Sequence, residues 1–84
     1  MSETHIRRYV VGSVRDIFTW RAEHAELPYV SVPLSQPESL LGRVINPWDE
    51  IVYCESYYTA PVDVRAEIVE GLIIARSKGR SYER

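Results

Sequence analysis

The chain has 84 residues, of which 45% are hydrophobic and 26% charged, a size and composition typical of one small globular domain. Its formal net charge of −2 gives no overall attraction to nucleic acid or to an anionic membrane, so neither is an expected partner. The single cysteine, Cys54, excludes an intrachain disulfide. No stretch approaches the roughly 18 apolar residues of a membrane span and no signal-peptide pattern is present, so we expect a cytoplasmic protein.

The first third of the chain has the pattern of a strand followed by a helix. Residues 6–11 are rich in β-forming side chains and are followed by Gly12, which predicts the first strand over residues 6–11. Ser13 and Asp16 then have capping-box spacing, with Asp16 expected to reach back to the helix start. A helix is predicted over residues 14–25, and Pro28 lies beyond its end.

The middle of the chain contains shorter elements. Residues 29–34 predict a second strand, which Pro33 places at a sheet edge or at a strand end. Residues 38–41 predict a short helical turn closed by Gly42. A brief extended piece is expected at residues 43–45.

The stretch from residue 50 to residue 76 is the strongest signal in the sequence. Within residues 50–55, Ile51 to Cys54 form a continuous apolar run bounded by Glu50 and Glu55, which predicts a strand buried on both faces. A turn at residues 56–60 leads to an amphipathic helix over residues 61–76, with a proline in its first turn. Residues 77–84 are basic and are predicted to form a flexible tail outside the single domain, 1–76.

This order of elements predicts the fold class. Strand, helix, strand, short helix, strand and helix alternate along the chain, a β-α-β-α-β-α sequence. We therefore predict an α/β domain with a small three-stranded, mostly parallel sheet, two main helices and one short helical turn.

Ligands of parallel sheets bind beyond the carboxyl ends of the strands, which makes that edge the first candidate site. The candidate ligand-binding residues there are Gly12, Ser13, Glu55, Tyr57 and Tyr58. Gly12 and Ser13 open a helix, where amide groups can hold a phosphate. Neither glycine-rich phosphate-binding motif is present, so a plain helix cap is the preferred interpretation.

The remaining residues at this edge also have a structural and a functional interpretation. Glu55 is placed as a metal-binding carboxylate would be in a nucleotide hydrolase, but a solvated strand-end residue is favoured. Tyr57 and Tyr58 could stack on a base or on a partner protein, although half-buried packing is the commoner use of such a pair. His5 and His24 have no metal-ligand spacing. We therefore expect no enzyme activity, no cofactor and no metal.

The last predicted helix carries more apolar surface than one sheet can cover. Val62, Ala66, Val69 and Ile73 form one stripe, and Val64, Ile68 and Ala75 another, so that together they span roughly 200° of the wheel. Arginines within this arc either extend over apolar surface to water or pair across an interface. We predict a homodimer whose interface is formed by Arg65, Ile68, Leu72, Ile74, Arg76 and Trp48.

Three segments together resemble a known group of proteins. They are residues 37–42 (PESLLG), 49–53 (DEIVY) and 57–61 (YYTAP). Over about residues 29–76 the chain resembles small α/β accessory proteins of unknown function encoded by tailed phages, especially those of actinobacteria. An arginine precedes the glycine in that pattern, where this chain has Leu41. The resemblance carries over no catalytic residue and implies a protein that binds a host component in the host cytoplasm.

These observations lead to a first hypothesis and two alternatives. The first is a non-enzymatic binding protein that self-associates through helix 61–76 and has a host protein as its partner. The second is a nucleotide- or phosphate-binding protein with its site at the strand ends. Nucleic-acid binding through the basic ends comes last because the total charge is acidic.

Overall fold

The structure is a computed structural model that describes residues 6–81 of the chain. It contains a three-stranded parallel sheet with the strand order β2-β1-β3, formed by β1 (Arg8–Gly12), β2 (Tyr29–Pro33) and β3 (Glu50–Tyr53). Four helical segments accompany the sheet: α1 (Val14–Glu23), a 3₁₀ helix (Pro37–Leu40), α2 (Glu55–Tyr58) and α3 (Val62–Ser81). The predicted α/β class with a small parallel sheet is confirmed.

The central strand is β1, where Tyr9, Val10 and Val11 are completely buried. The prediction that residues 50–55 form a strand buried on both faces is wrong. Strand β3 lies at an edge of the sheet, ends at Tyr53, and its residues are half-buried or exposed. A continuous apolar run has the same pattern in a central strand and in an edge strand, and only the pairing of the strands distinguishes them.

One face of the sheet packs against α3 and forms the main core. Because side chains alternate along a strand, the in-register residues of the three strands point to the same side. The resulting cluster combines strand residues, one stripe of α3, the last residue of the 3₁₀ helix and one loop residue. Its members are Tyr9, Val11, Val32, Leu40, Ile45, Ile68, Leu72 and Ala75. The opposite face carries Val10 and is covered by α1, of which Ile17 is buried.

Helix α1 begins as predicted but ends earlier. The Ser13 hydroxyl accepts a hydrogen bond from the Asp16 amide at 3.1 Å, so Ser13 is the N-terminal cap. The helix ends at Glu23 instead of residue 25.

The segment that follows the 3₁₀ helix contains no strand, contrary to the extended piece predicted at residues 43–45. Gly42 has a φ of 79°, which lets the chain reverse after the 3₁₀ helix. Ile45 is buried in the core, and its amide donates to the Ala75 carbonyl of α3 at 3.1 Å. The backbone of this loop therefore pairs with the helix and not with a strand.

Two predictions around α3 are corrected. The turn expected at residues 56–60 is mostly the short helix α2. Helix α3 does not end at Arg76 but continues to Ser81, so the predicted tail is helical over residues 77–81. Gly79 is buried against the carbonyl of Ile45, a contact that holds the last turn to the domain. The remaining predicted tail, residues 82–84, and residues 1–5 lie outside the described part of the chain.

Candidate functional site

The carboxyl ends of β1 and β3 meet in a closed hydrogen-bond network. The Ser13 amide donates to the Ser56 hydroxyl at 2.8 Å, and the Ser56 amide donates to Asp16 Oδ2 at 3.1 Å. Gly12 allows this approach, because a Cβ atom there would lie 2.7 Å from Cβ of Cys54. Asp16 thus caps the start of α2 instead of reaching back to its own helix, as the capping-box spacing had predicted.

This network occupies the Ser13 amide, one of the groups that the predicted anion site at Gly12 and Ser13 would use. Hydrogen bonding by the Ser56 side chain, and then by its backbone amide, holds the pKa of Asp16 below the ordinary value. The carboxylate is therefore negatively charged at neutral pH beside the Ser13 amide, and that amide already has an acceptor. An incoming phosphate would have to displace Ser56 and lie next to Asp16, so the geometry favours a structural cap over a phosphate cradle.

Cys54 lies next to the same network. Burial, and then the negative charge of Asp16, raises the pKa of the Cys54 thiol. A nucleophilic cysteine needs the opposite shift, because the thiolate is the reactive form. Cys54 thus has the environment of a small packed side chain between β3 and α2.

The predicted aromatic residues form a cluster with one strand residue that was not predicted as part of the site. The ring centroids of Tyr53 and Tyr57 are 4.7 Å apart, and those of Tyr57 and Tyr58 are 5.2 Å apart with their planes nearly perpendicular. Tyr53 and Tyr57 are four residues apart where β3 turns into α2, a spacing that could have identified the contact. Tyr58 is 59% exposed, and Glu55 lies exposed in the first turn of α2.

Beside this cluster, α3 borders an open apolar groove of about 700 Å³. The groove begins at Tyr57 and follows the first stripe of the helix; its apolar lining is Tyr57, Val62, Ala66, Val69, Ile73 and Ile74. Arg65 and Glu70 are the charged residues that line it. Val62 is 72% exposed and Ile73 is 58% exposed, although both are large apolar side chains.

The residues predicted as the interface divide into three groups. Arg65 and Ile74 line the groove. Ile68 and Leu72 are buried in the monomer core, so their assignment to an interface is wrong. Two predicted residues lie elsewhere: Arg76 borders a separate concavity with Arg80, and Trp48 is exposed in the loop before β3. The helical wheel identifies two stripes, but it does not show which of them faces the sheet.

The chain matches no protein-family model, no curated protein and no solved structure. Among residues 6–81, no group of three or more histidine, cysteine or acidic side chains is arranged to hold a metal ion. No helix in that part of the chain has both the length and the hydropathy needed to cross a membrane.

Proposed function

We propose that this chain is a non-enzymatic binding protein that self-associates through the exposed apolar stripe of α3. The observation that carries the proposal is the unequal burial of the two stripes of this helix. Ile68 and Leu72 fill the core, whereas Val62 and Ile73 remain mostly exposed. A contiguous exposed apolar surface bordered by charged residues is typical of a protein interaction site.

The energetics also favour covering this surface. Burial of apolar area in water stabilises a complex by about 25 cal/mol per Å², and the stripe offers several large side chains along one line. Tyr57 extends the same groove towards the aromatic cluster, so the surface continues from α3 onto α2. Aromatic side chains are enriched in the centre of protein interfaces.

Two further observations favour a binding function over catalysis. Hydrogen bonds connect Asp16, Ser13 and Ser56 to one another, and the Cys54 thiol has a raised pKa. The resemblance of residues 29–76 to phage accessory proteins also implies a role in binding. We include in the proposal that the protein is phage-encoded and acts on a host component.

The proposal is tested by replacing one residue of the stripe and one matched residue elsewhere. Ile73 in α3 and Phe18 in α1 are apolar helix residues with similar exposures, 58% and 60%. Light scattering over a micromolar to millimolar series should show the wild type and Phe18→Gln associating alike, with Ile73→Gln remaining monomeric. A wild type that is monomeric throughout, or equal loss of association in both variants, would contradict the proposal.

A further inference from the structure

The exposed stripe on α3 has the spacing of a two-stranded coiled-coil seam. Val62, Ala66, Val69 and Ile73 follow one another at intervals of four, three and four residues. Such alternating intervals keep apolar side chains on one line, along which a second helix packs. The stripe lies roughly 120° around the helix from Ile68, Leu72 and Ala75, so a second helix would leave the core contact in place.

The two flanks of this stripe carry opposite charges. Arg65 lies between the stripe and the core; it is half-buried, and its Nε has no hydrogen-bond partner among residues 6–81. It also forms no ion pair with any described residue. Glu70 and Asp63 lie on the other flank, and both are exposed. A basic flank and an acidic flank on one stripe make the surface complementary in charge to a second copy of itself.

The orientation of the second helix decides whether these charges attract. In a parallel pair, the basic flank of each helix meets the acidic flank of the other. Arg65 of one copy then faces Glu70 of the second copy, five positions further along, and the contact occurs twice because of the twofold symmetry.

An antiparallel pair brings like flanks together. With position 62 opposite position 73, Glu70 would lie beside Asp63 of the second copy, and the two Arg65 side chains would lie on the same flank about 7.5 Å apart along the helix axis. Both pairs of like charges are repulsive. The charge pattern of α3 therefore selects the parallel orientation.

The apolar stripe is bounded at its carboxyl end by charge. Arg76 and Arg80 continue it at the same spacing, and both are exposed. Two pairs of arginines do not pack in an apolar seam, so close contact ends at Ile73 and covers about 17 Å of helix. Packing along this length of one helix buries less area than the roughly 800 Å² per partner of a standard interface, which indicates a reversible dimer.

We propose that the partner of α3 is α3 of a second copy of this chain, packed in parallel, with Arg65 of each copy paired to Glu70 of the other. This inference depends on the proposed self-association and specifies its geometry. Failure of the self-association and failure of the parallel geometry can be distinguished. The scattering experiment above reports whether the chain associates, and the experiments below report the orientation and the charge pairing of the two helices.

The orientation is tested by disulfide cross-linking in a Cys54→Ala background. In a parallel pair, a cysteine at position 62 or at position 73 lies opposite its own copy, within the roughly 7 Å between Cα atoms that a disulfide spans. In an antiparallel pair centred on the stripe, position 62 lies opposite position 73. We expect Val62→Cys alone and Ile73→Cys alone to cross-link on oxidation, with Phe18→Cys as the matched exposed control remaining monomeric.

Two outcomes would overturn the geometry. Cross-links that form only in a mixture of the Val62→Cys and Ile73→Cys chains would show an antiparallel pair. Absence of both self-cross-links in chains that associate by scattering would show that another surface forms the contact. A cooperative thermal transition in each variant establishes that the cysteine chains fold.

The charge pairing has its own test. Arg65→Glu and Glu70→Arg should each weaken self-association roughly five- to tenfold, since two attractive contacts become repulsive. The double variant, Arg65→Glu with Glu70→Arg, should return to near the wild-type dissociation constant. Single variants that associate like the wild type, or a double variant no better than the singles, would rule out this pairing.

Discussion

Ser56 joins α2 to the junction of β1 and α1, which lies about 40 residues away in sequence. Its hydroxyl accepts a hydrogen bond from the Ser13 amide, and its backbone amide donates to Asp16, so one residue connects α2 to the start of α1. The sequence identified Ser13 and Asp16 because their spacing is that of a helix cap. Ser56 could not be identified in that way because its partners lie about 40 residues away and meet it only through the pairing of β1 with β3.

Replacing Ser56 by alanine should destabilise the protein by about 1–3 kcal/mol, because the Ser13 amide loses its acceptor in a part-buried position. Ser39 supplies the matched control. Its hydroxyl is buried without a hydrogen-bond partner among the described residues, so Ser39→Ala should be neutral or slightly stabilising. Urea unfolding of both variants measures the difference in the free energy of unfolding. Equal effects of the two substitutions would show that the Ser56 network adds nothing to stability.

At the scale of elements, signals that are local in sequence predicted where strands, caps and turns occur, but they did not predict which elements are buried. The cap at Ser13, the reversal at Gly42 and the existence of all three strands follow from residue types within a few positions. The apolar run at residues 51–54 is an equally local signal, but the burial of this strand depends on which strands lie beside it. With β1 in the centre, β3 keeps one open edge, and the sequence contains no local mark of that arrangement.

The candidate interaction surface was likewise predicted only in part from signals that are local in sequence. The two apolar stripes of the last helix are evident from a 3.6-residue period, and so is the surplus of apolar surface. Which stripe faces the sheet depends on contacts with residues distant in sequence, such as Ile45, whose amide donates to Ala75, and these contacts cannot be read from the helix itself. For that reason Ile68 and Leu72 were predicted at the interface, whereas Val62 and Ile73 remain exposed.

The last turns of α3 contact the Ile45 loop. Gly79 packs directly on the Ile45 carbonyl, and the loop cannot move away easily because Ile45 is buried and its amide donates to Ala75. Gly79→Ala gains about 1 kcal/mol of helix propensity. We nevertheless expect the steric conflict to dominate and to destabilise the protein by about 1–3 kcal/mol in urea unfolding.

Lys78→Ala is the control for that substitution, since Lys78 is exposed in the same turn and should change stability by less than about 0.5 kcal/mol. A Gly79→Ala protein that is as stable as the wild type, or more stable, would show that residues 77–81 do not pack on the domain.

The whole molecule combines a small core with two surfaces that its own elements leave uncovered. Ten hydrophobic residues are buried within residues 6–81, and a domain of this size buries only somewhat more than about 60% of its unfolded surface. The outer edge of β3 has no partner strand among the described residues, and the stripe of α3 lines an open groove. Association with a second copy would supply burial that this small domain lacks.

Self-association should therefore appear in the thermal stability of the whole chain. A partner that binds only the folded state stabilises it by RT ln(1 + [L]/Kd), which is about 2.7 kcal/mol at 100 times Kd. For a domain of this size, each kcal/mol raises the Tm by about 4–8 °C. We expect the Tm of the wild type to rise by several degrees over a hundredfold increase in protein concentration, and that of Ile73→Gln to stay constant. Constant values for both proteins would mean that burial of the α3 stripe contributes no stability, and the domain would then depend on its ten-residue core alone.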